Sequence, residues 1–259
     1  MHYREQPPPP ALARHIAALW SFRLAPGDAE VPQHAVPPDG GALLAVALAS
    51  GQVRHVALVG PTLSALRVPV QRGVLYLGLR ATPVGATLFL PGPANRWRDR
   101  RGVMDTEDPA RAAALRAALA GCDEEGQALS RLAEQAAQWL ANAPPLDTAV
   151  EAMVARIVHA HGRLAVQALA AEVNLGYRQA LRRFEAAVGL QPKELARLRR
   201  LRHACLLALA RGAPGAADIA AGAGFADQPH MSREFMEFFG WPPGLTLAYL
   251  RRIEHLGVA

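Results

Sequence analysis

The sequence predicts an α+β protein, with a β-rich N-terminal region that ends in helices and an all-helical C-terminal region. Three observations carry this. From residue 25 to about 105, short apolar runs alternate with clusters of Gly, Pro and Asp, the texture of short strands and turns. From residue 149 onward the chain reads as short helices joined by Gly and Pro turns. That second region also contains a degenerate internal repeat.

Residues 1–10 are polar, then proline-rich, and read as an extended lead-in. Residues 11–24 read as a short helix running into a strand. The apolar runs Ala42–Leu48, Val56–Val59, Val74–Leu79 and Ala86–Leu90 predict strands of a small sheet or barrel. After Asp105 the texture becomes helical. Pro109–Ala120 opens with proline at a permitted first-turn position. Glu124–Ala141 places Leu129, Leu132, Ala133, Ala136, Trp139 and Leu140 on one face. Asn142 to Leu146, with two prolines, breaks that helix, so the domains are expected at 1–143 and 149–255.

Of the 259 residues 51% are hydrophobic and 19% charged, a globular composition with material for a core in each region. The net charge of +6 is uneven. Residues 1–149 carry 14 Lys+Arg against 13 Asp+Glu, and residues 150–259 carry 14 against 9. The excess of +5 in the second part points to a polyanionic partner there. Cys122 and Cys205 are the only cysteines, which excludes a disulfide framework and a zinc finger and fits a reducing compartment. The chain shows no signal-peptide core and no run of 18 apolar residues, so a soluble cytoplasmic protein without membrane contact is expected.

The repeat pairs Leu169-Ala170-Ala171, Asn174-Leu175, Arg182-Arg183-Phe184, Gly189 and Pro192 with Ile219-Ala220-Ala221, Gly224-Phe225, Arg233-Glu234-Phe235, Gly240 and Pro243. From Arg182/Arg233 onward the copies are 51 residues apart. The alanines let a second helix cross closely. Asn174 and Gly224 stand where a helix ends and a left-handed residue is needed. Leu175 and Phe225 plug the core between helices, Phe184 and Phe235 pack inward from the next helix, and Gly189 and Gly240 end it. This is the helix-turn-helix layout, whose second helix fits the major groove of duplex DNA. Between the copies, Lys193–Leu209 predicts a long helix with a leucine stripe, its arginines at 197, 199, 200 and 202 mostly solvated, with some phosphate contact also open to them. Such a helix would hold the two units rigidly, as reaching successive major-groove faces about 34 Å apart requires.

The run from Ile219-Ala220 through Gly224-Phe225-Ala226-Asp227-Gln228-Pro229-His230-Met231-Ser232-Arg233-Glu234-Phe235 to Phe239-Gly240-Trp241-Pro242-Pro243 resembles the signature of the AraC/XylS family of bacterial transcription regulators. The resemblance covers roughly 157–252. Residues 1–140 resemble the small cupin-like sensor domains of one branch of that family, through Trp20, Pro38-Asp39-Gly40 and Leu79–Leu88. Together they imply a sequence-specific regulator that raises or lowers transcription, its N-terminal domain sensing a small-molecule effector or mediating dimerisation. Its partners would be double-stranded DNA, RNA polymerase, a small-molecule effector and a second copy of the chain. No cofactor, metal or catalytic residue is implied.

Carried over by position, the first unit presents Arg178, Leu181 and Arg182 to the bases, with Gln179 and Arg183 near the DNA backbone. The second presents Gln228, Pro229, Ser232 and Arg233. Arginine reads guanine bidentately or meets phosphate, and glutamine pairs with adenine. Asp227 reads as a helix N-cap. His230 either meets DNA or packs. Arg182 and Arg183 lie about 100° apart on a helix, so they cannot face the same way. The first unit departs from the family pattern at Gly176 (in place of a capping Ser), Ala180 (in place of a core Leu) and Leu181 (in place of a polar, DNA-facing residue). Leu181 either meets a thymine methyl or rotates into the core. On this reading the first unit contributes less to specificity than the second, or than DNA shape.

In the N-terminal region, Trp20, Tyr76, Arg80 and Trp97 either line a pocket or are ordinary core and surface. His34 and His55 lack the close spacing of a metal-binding pair. The 124–141 stripe either pairs with a second copy or packs on its own sheet. An enzyme is disfavoured, because no nucleophile elbow, HExxH or P-loop occurs. The alternative is a helical protein-interaction module attached to a cupin-like ligand-binding domain.

Overall fold

The structure, a computed structural model, describes residues 2–24, 27–28, 34–210, 212 and 214–253. It begins with β1 (His2–Gln6), β2 (Ile16–Arg23), β3 (His34–Val36), β4 (Leu43–Ala49), β5 (Gln52–Val59), β6 (Leu66–Val68), β7 (Leu75–Ala81) and β8 (Arg101–Val103). Helices α1 (Met104–Glu107), α2 (Pro109–Leu119) and α3 (Glu125–Leu140) follow. The rest is helical: α4 (Thr148–His159), α5 (Val166–Glu172), α6 (Tyr177–Val188), α7 (Pro192–Leu209), α8 (Ala216–Ala223), α9 (Gln228–Phe239) and α10 (Pro243–Ile253). No helix among the described residues is long and apolar enough to cross a membrane. Of the expected 149–255 region, residues 254–255 lie outside the described ones.

Six strands form an antiparallel sheet in the order β1-β2-β7-β4-β5-β8, and β3 pairs with β6 as a separate ribbon. Alternation decides the faces. Leu19, Leu79, Leu44 and Leu58 are direct neighbours across four strands and are buried in one core with Leu115, Leu129, Leu132, Ala136 and Trp139. The α3 stripe therefore packs on its own sheet and is not open for pairing with a second copy. The opposite face carries Trp20 and Phe22, with Tyr3, Leu43, Ala45 and Tyr76 against them. Trp20 lies flat over Gly78, where a Cβ would stand 2.6 Å from its ring.

Two segments differ from expectation. The polar lead-in pairs as β1 along β2, because an antiparallel neighbour satisfies its backbone where its own side chains supply no pattern. Ala86–Leu90 is no strand. Its first three residues make a 3-10 turn, and the run is apolar because Ala86, Leu88, Phe89 and Leu90 are all buried in the core. Trp97 is wholly core, its indole N–H donating to the Pro91 carbonyl at 2.9 Å.

The helical core is continuous from Val150 to Leu250 and takes in Val84, Leu63 and Ala65 from the sheet region. Polar ties reinforce that seam. Arg98 makes two bonds of 2.8 and 2.7 Å to Glu194 of α7, and Arg14 two of 2.9 and 2.6 Å to Glu151 of α4. The Ala65 N–H donates to the Phe238 carbonyl at 2.7 Å, and Arg67 donates to the Phe239 carbonyl and stacks on Trp241. The Tyr249 hydroxyl lies 2.6 Å from Nδ1 of His34 and accepts from the Ala35 N–H at 2.8 Å.

Candidate nucleic-acid interface

The first unit is α4, α5 and α6; the second is α7, α8 and α9, closed by α10. In each, two helices meet through a turn that needs one left-handed residue. Gly224 holds φ +84° and Asn174 holds φ +54°, a conformation open to asparagine among the few non-glycine residues. Gly189 and Gly240 end α6 and α9 in the same conformation. Ala170 and Ala220 are buried at the helix crossings, and Phe184 and Phe235 are fully buried behind the second helices. At the starts of those helices the units differ. Asp227 caps α9 by accepting the His230 N–H at 2.6 Å, whereas Gly176 supplies no side-chain cap to α6.

This packing settles which way each α6 side chain faces. Ala180 and Phe184 are buried, which turns Tyr177, Arg178, Gln179 and Arg182 outward. Leu181 is half-buried and lies outside the apolar core, so the helix is not rotated to bury it. Arg183 turns the other way. Its guanidinium makes two bonds of 2.7 and 2.6 Å to Asp147. Asp147 is also the N-cap of α4, accepting from the Ala149 and Val150 N–H groups. The Arg183 hydrogen bond holds the Asp147 carboxyl below its usual pKa.

On α9, Met231, Phe235, Phe238 and Phe239 are buried, while Gln228, Pro229 and Arg233 are exposed and Ser232 is half-exposed beside them. His230 folds back onto the turn. Its ring packs edge-on to Phe225 at 5.4 Å, and its Nδ1 accepts the Ala226 N–H at 3.4 Å. This geometry is the packing one of the roles open to His230, with its side chain still 33% exposed.

The arginines of α7 are not the solvated row that the sequence suggests. Arg197 is bonded to Glu234 at 2.9 Å and Glu237 at 2.6 Å, over the Phe238 ring. Arg200 lies over Phe225. Arg199 points into the sheet region, with Asp39 and Arg80 as charged neighbours, and burial pushes its pKa down to about 10. The reason is the seam: α7 opens the second unit and also meets the sheet region, through Glu194 on Arg98 and Leu195 beside Gly40, so most of its circumference is covered. Arg80 itself bridges Asp39 at 2.7 Å and Glu5 at 3.0 Å on the sheet's second face, beside a cavity of about 40 Å³. Among the described residues no group of three or more His, Cys, Asp and Glu is placed to hold a metal ion.

Two successive helix-turn-helix units, each with an outward second helix carrying arginine or glutamine, define a duplex-DNA-binding protein. Comparison with known proteins places it further. Residues 169–249 match the family model described as a helix-turn-helix domain, which is of the AraC type, and residues 4–102 match the model of a domain of unknown function, DUF6597. The chain thus carries an AraC-type helix-turn-helix domain, a DNA-binding domain, over residues 169–249. No curated protein matches it in sequence. Among solved structures, it is similar to an apo form of a ToxT variant from Vibrio cholerae, at 16% identity over 90% of this chain and 97% of that one, with a TM-score of 0.47. It is also similar to ToxT from the same organism bound to an unsaturated fatty acid, at 14% identity over 91% and 95%, with a TM-score of 0.47.

Proposed function

We propose that the protein regulates transcription by laying α6 and α9 into the major groove of promoter DNA. Residues 1–143 act as a sensor and 149–255 as the reader. The observation that carries this reading is the outward set on the two helices, Arg178, Gln179 and Arg182 on α6 with Gln228, Pro229, Ser232 and Arg233 on α9. Arg178, Arg182 and Arg233 take part in no ion pair among the described residues, unlike Arg183 and Arg197. Cations left unpaired on one face of a basic region suit phosphates or guanines. Leu181 contributes apolar contact. His230 supports the turn and does not read bases.

An effector would act through the seam. The β3–β6 ribbon holds the second unit through Arg67, Ala65 and the His34–Tyr249 pair, and Arg14 and Arg98 hold α4 and α7. A small molecule that repacks the Trp20–Phe22 face reaches α10 through His34, which stacks on Phe22 at 4.4 Å. We place RNA polymerase and a second copy of the chain as further partners, in the compartment that holds the chromosome, and assign no chemistry of catalysis.

The test is selection from a randomised duplex library with the full chain, followed by titration at several salt concentrations. A motif of two blocks about one helical turn apart, bound with a steep salt dependence, supports the reading. Absence of any enriched motif at low salt overturns it and favours the protein-interaction alternative.

A further inference from the structure

The outward face of α6 has an arrangement that α9 does not share. Tyr177 and Leu181 are four residues apart, as are Arg178 and Arg182, so the helix carries an apolar row beside a cationic row. Tyr177, the first residue of α6, is 48% exposed, one of few large apolar side chains so placed. Leu181 is half-buried and joins no apolar core. The corresponding positions of α9, 51 residues on, hold Gln228 for Tyr177 and Ser232 for Leu181. The core beneath cannot take up the apolar row, because Ala180 and Phe184 already fill the inward face. An exposed Tyr and a half-buried Leu in one row, flanked by two arginines, suit an apolar surface on an otherwise anionic partner.

Major-groove edges offer that combination. Thymine presents its C5 methyl there and guanine presents O6 and N7. We propose that Tyr177 and Leu181 form a methyl-reading ridge, so that the first unit recognises a thymine adjacent to a guanine taken by Arg178 or Arg182. This rests on the reading of α6 as a major-groove helix. It makes the first unit a reader with its own chemistry, methyl contact plus guanine, while α9 reads by polar contact.

The experiment uses the duplex selected by the full chain from the randomised library. Each thymine in the block assigned to the first unit is replaced in turn by deoxyuridine, which removes the methyl and leaves base pairing intact. The wild-type chain should lose about fourfold in affinity at one or two of these positions, the value of one buried methyl group. A Leu181→Ser chain should bind the thymine and deoxyuridine duplexes alike, and 5-methylcytosine should partly replace thymine for the wild type. A selected block without thymine, or a motif indifferent to every deoxyuridine, overturns the methyl proposal while leaving base-specific binding intact. A library that yields no motif overturns both.

Discussion

Arg183 and Glu234 occupy the same position in the two helix-turn-helix units, 51 residues apart, and carry opposite charges. Each turns away from the outward face to pair with the helix that opens its own unit. Arg183 reaches Asp147 at the start of α4, and Glu234 reaches Arg197 on α7. The same joint is thus built twice with its polarity reversed. Arg183 then sets the angle of α6 instead of touching DNA. Replacing it with Ala should lower the thermal midpoint and leave the slope of log affinity against log salt unchanged. Arg182→Ala should reduce that slope by about one. A lower salt slope for Arg183→Ala would return that residue to the DNA contact set.

Glu234 is the more buried of the two joints, at 9% side-chain exposure with Arg197 at 22%. Removing the carboxylate leaves a half-buried guanidinium against Phe238 with only Glu237 as partner. Glu234→Ala should cost about 2–4 kcal/mol, measured by urea unfolding. A cost below about 0.5 kcal/mol would place this pair with ordinary surface salt bridges.

His34 couples stability to pH. Buried against Phe22 and facing the Tyr249 hydroxyl, it has its pKa pushed down by burial to about 4, from an ordinary value of about 6.5. The folded state thus binds its proton less readily than the unfolded chain. The stabilisation is complete above about pH 6.5 and is lost as pH falls towards 4, by up to about 3 kcal/mol. Unfolding free energies at pH 7, 5.5 and 4.5 should show this slope for the wild type and a flatter one for His34→Asn. Equal slopes would remove His34 from the account.

Arg178→Ala and Gln228→Ala should each relax discrimination at one base position, by about 1–3 kcal/mol, when affinities are compared across single-base variants of the selected duplex. A uniform loss over all variants would mean phosphate contact instead.

Much was legible in the residues alone. The left-handed positions Asn174, Gly224, Gly189 and Gly240, the crossing alanines and the inward phenylalanines could be assigned because each answers a local demand, of backbone conformation or of volume, that few residue types meet. The Asp227 cap is of the same kind. The strands β4, β5 and β7, with their longer apolar runs, also showed. The short or polar ones, β1, β3, β6 and β8, did not, since their pattern is set by neighbours distant in sequence.

What only the tertiary structure decided was the direction of the charged side chains. The resemblance places both Arg182 and Arg183 against DNA, one at the bases and one near the backbone, yet one is exposed and the other is bound to a carboxylate 36 residues away. The α7 arginines read as a solvated row and proved to be covered by the sheet and the second unit. His34 gave no sign that its partner was Tyr249, 215 residues on. Local rules act through the backbone and hold within a few residues. An ion pair depends on which surfaces meet, and that is fixed when the sheet region closes on both helical units.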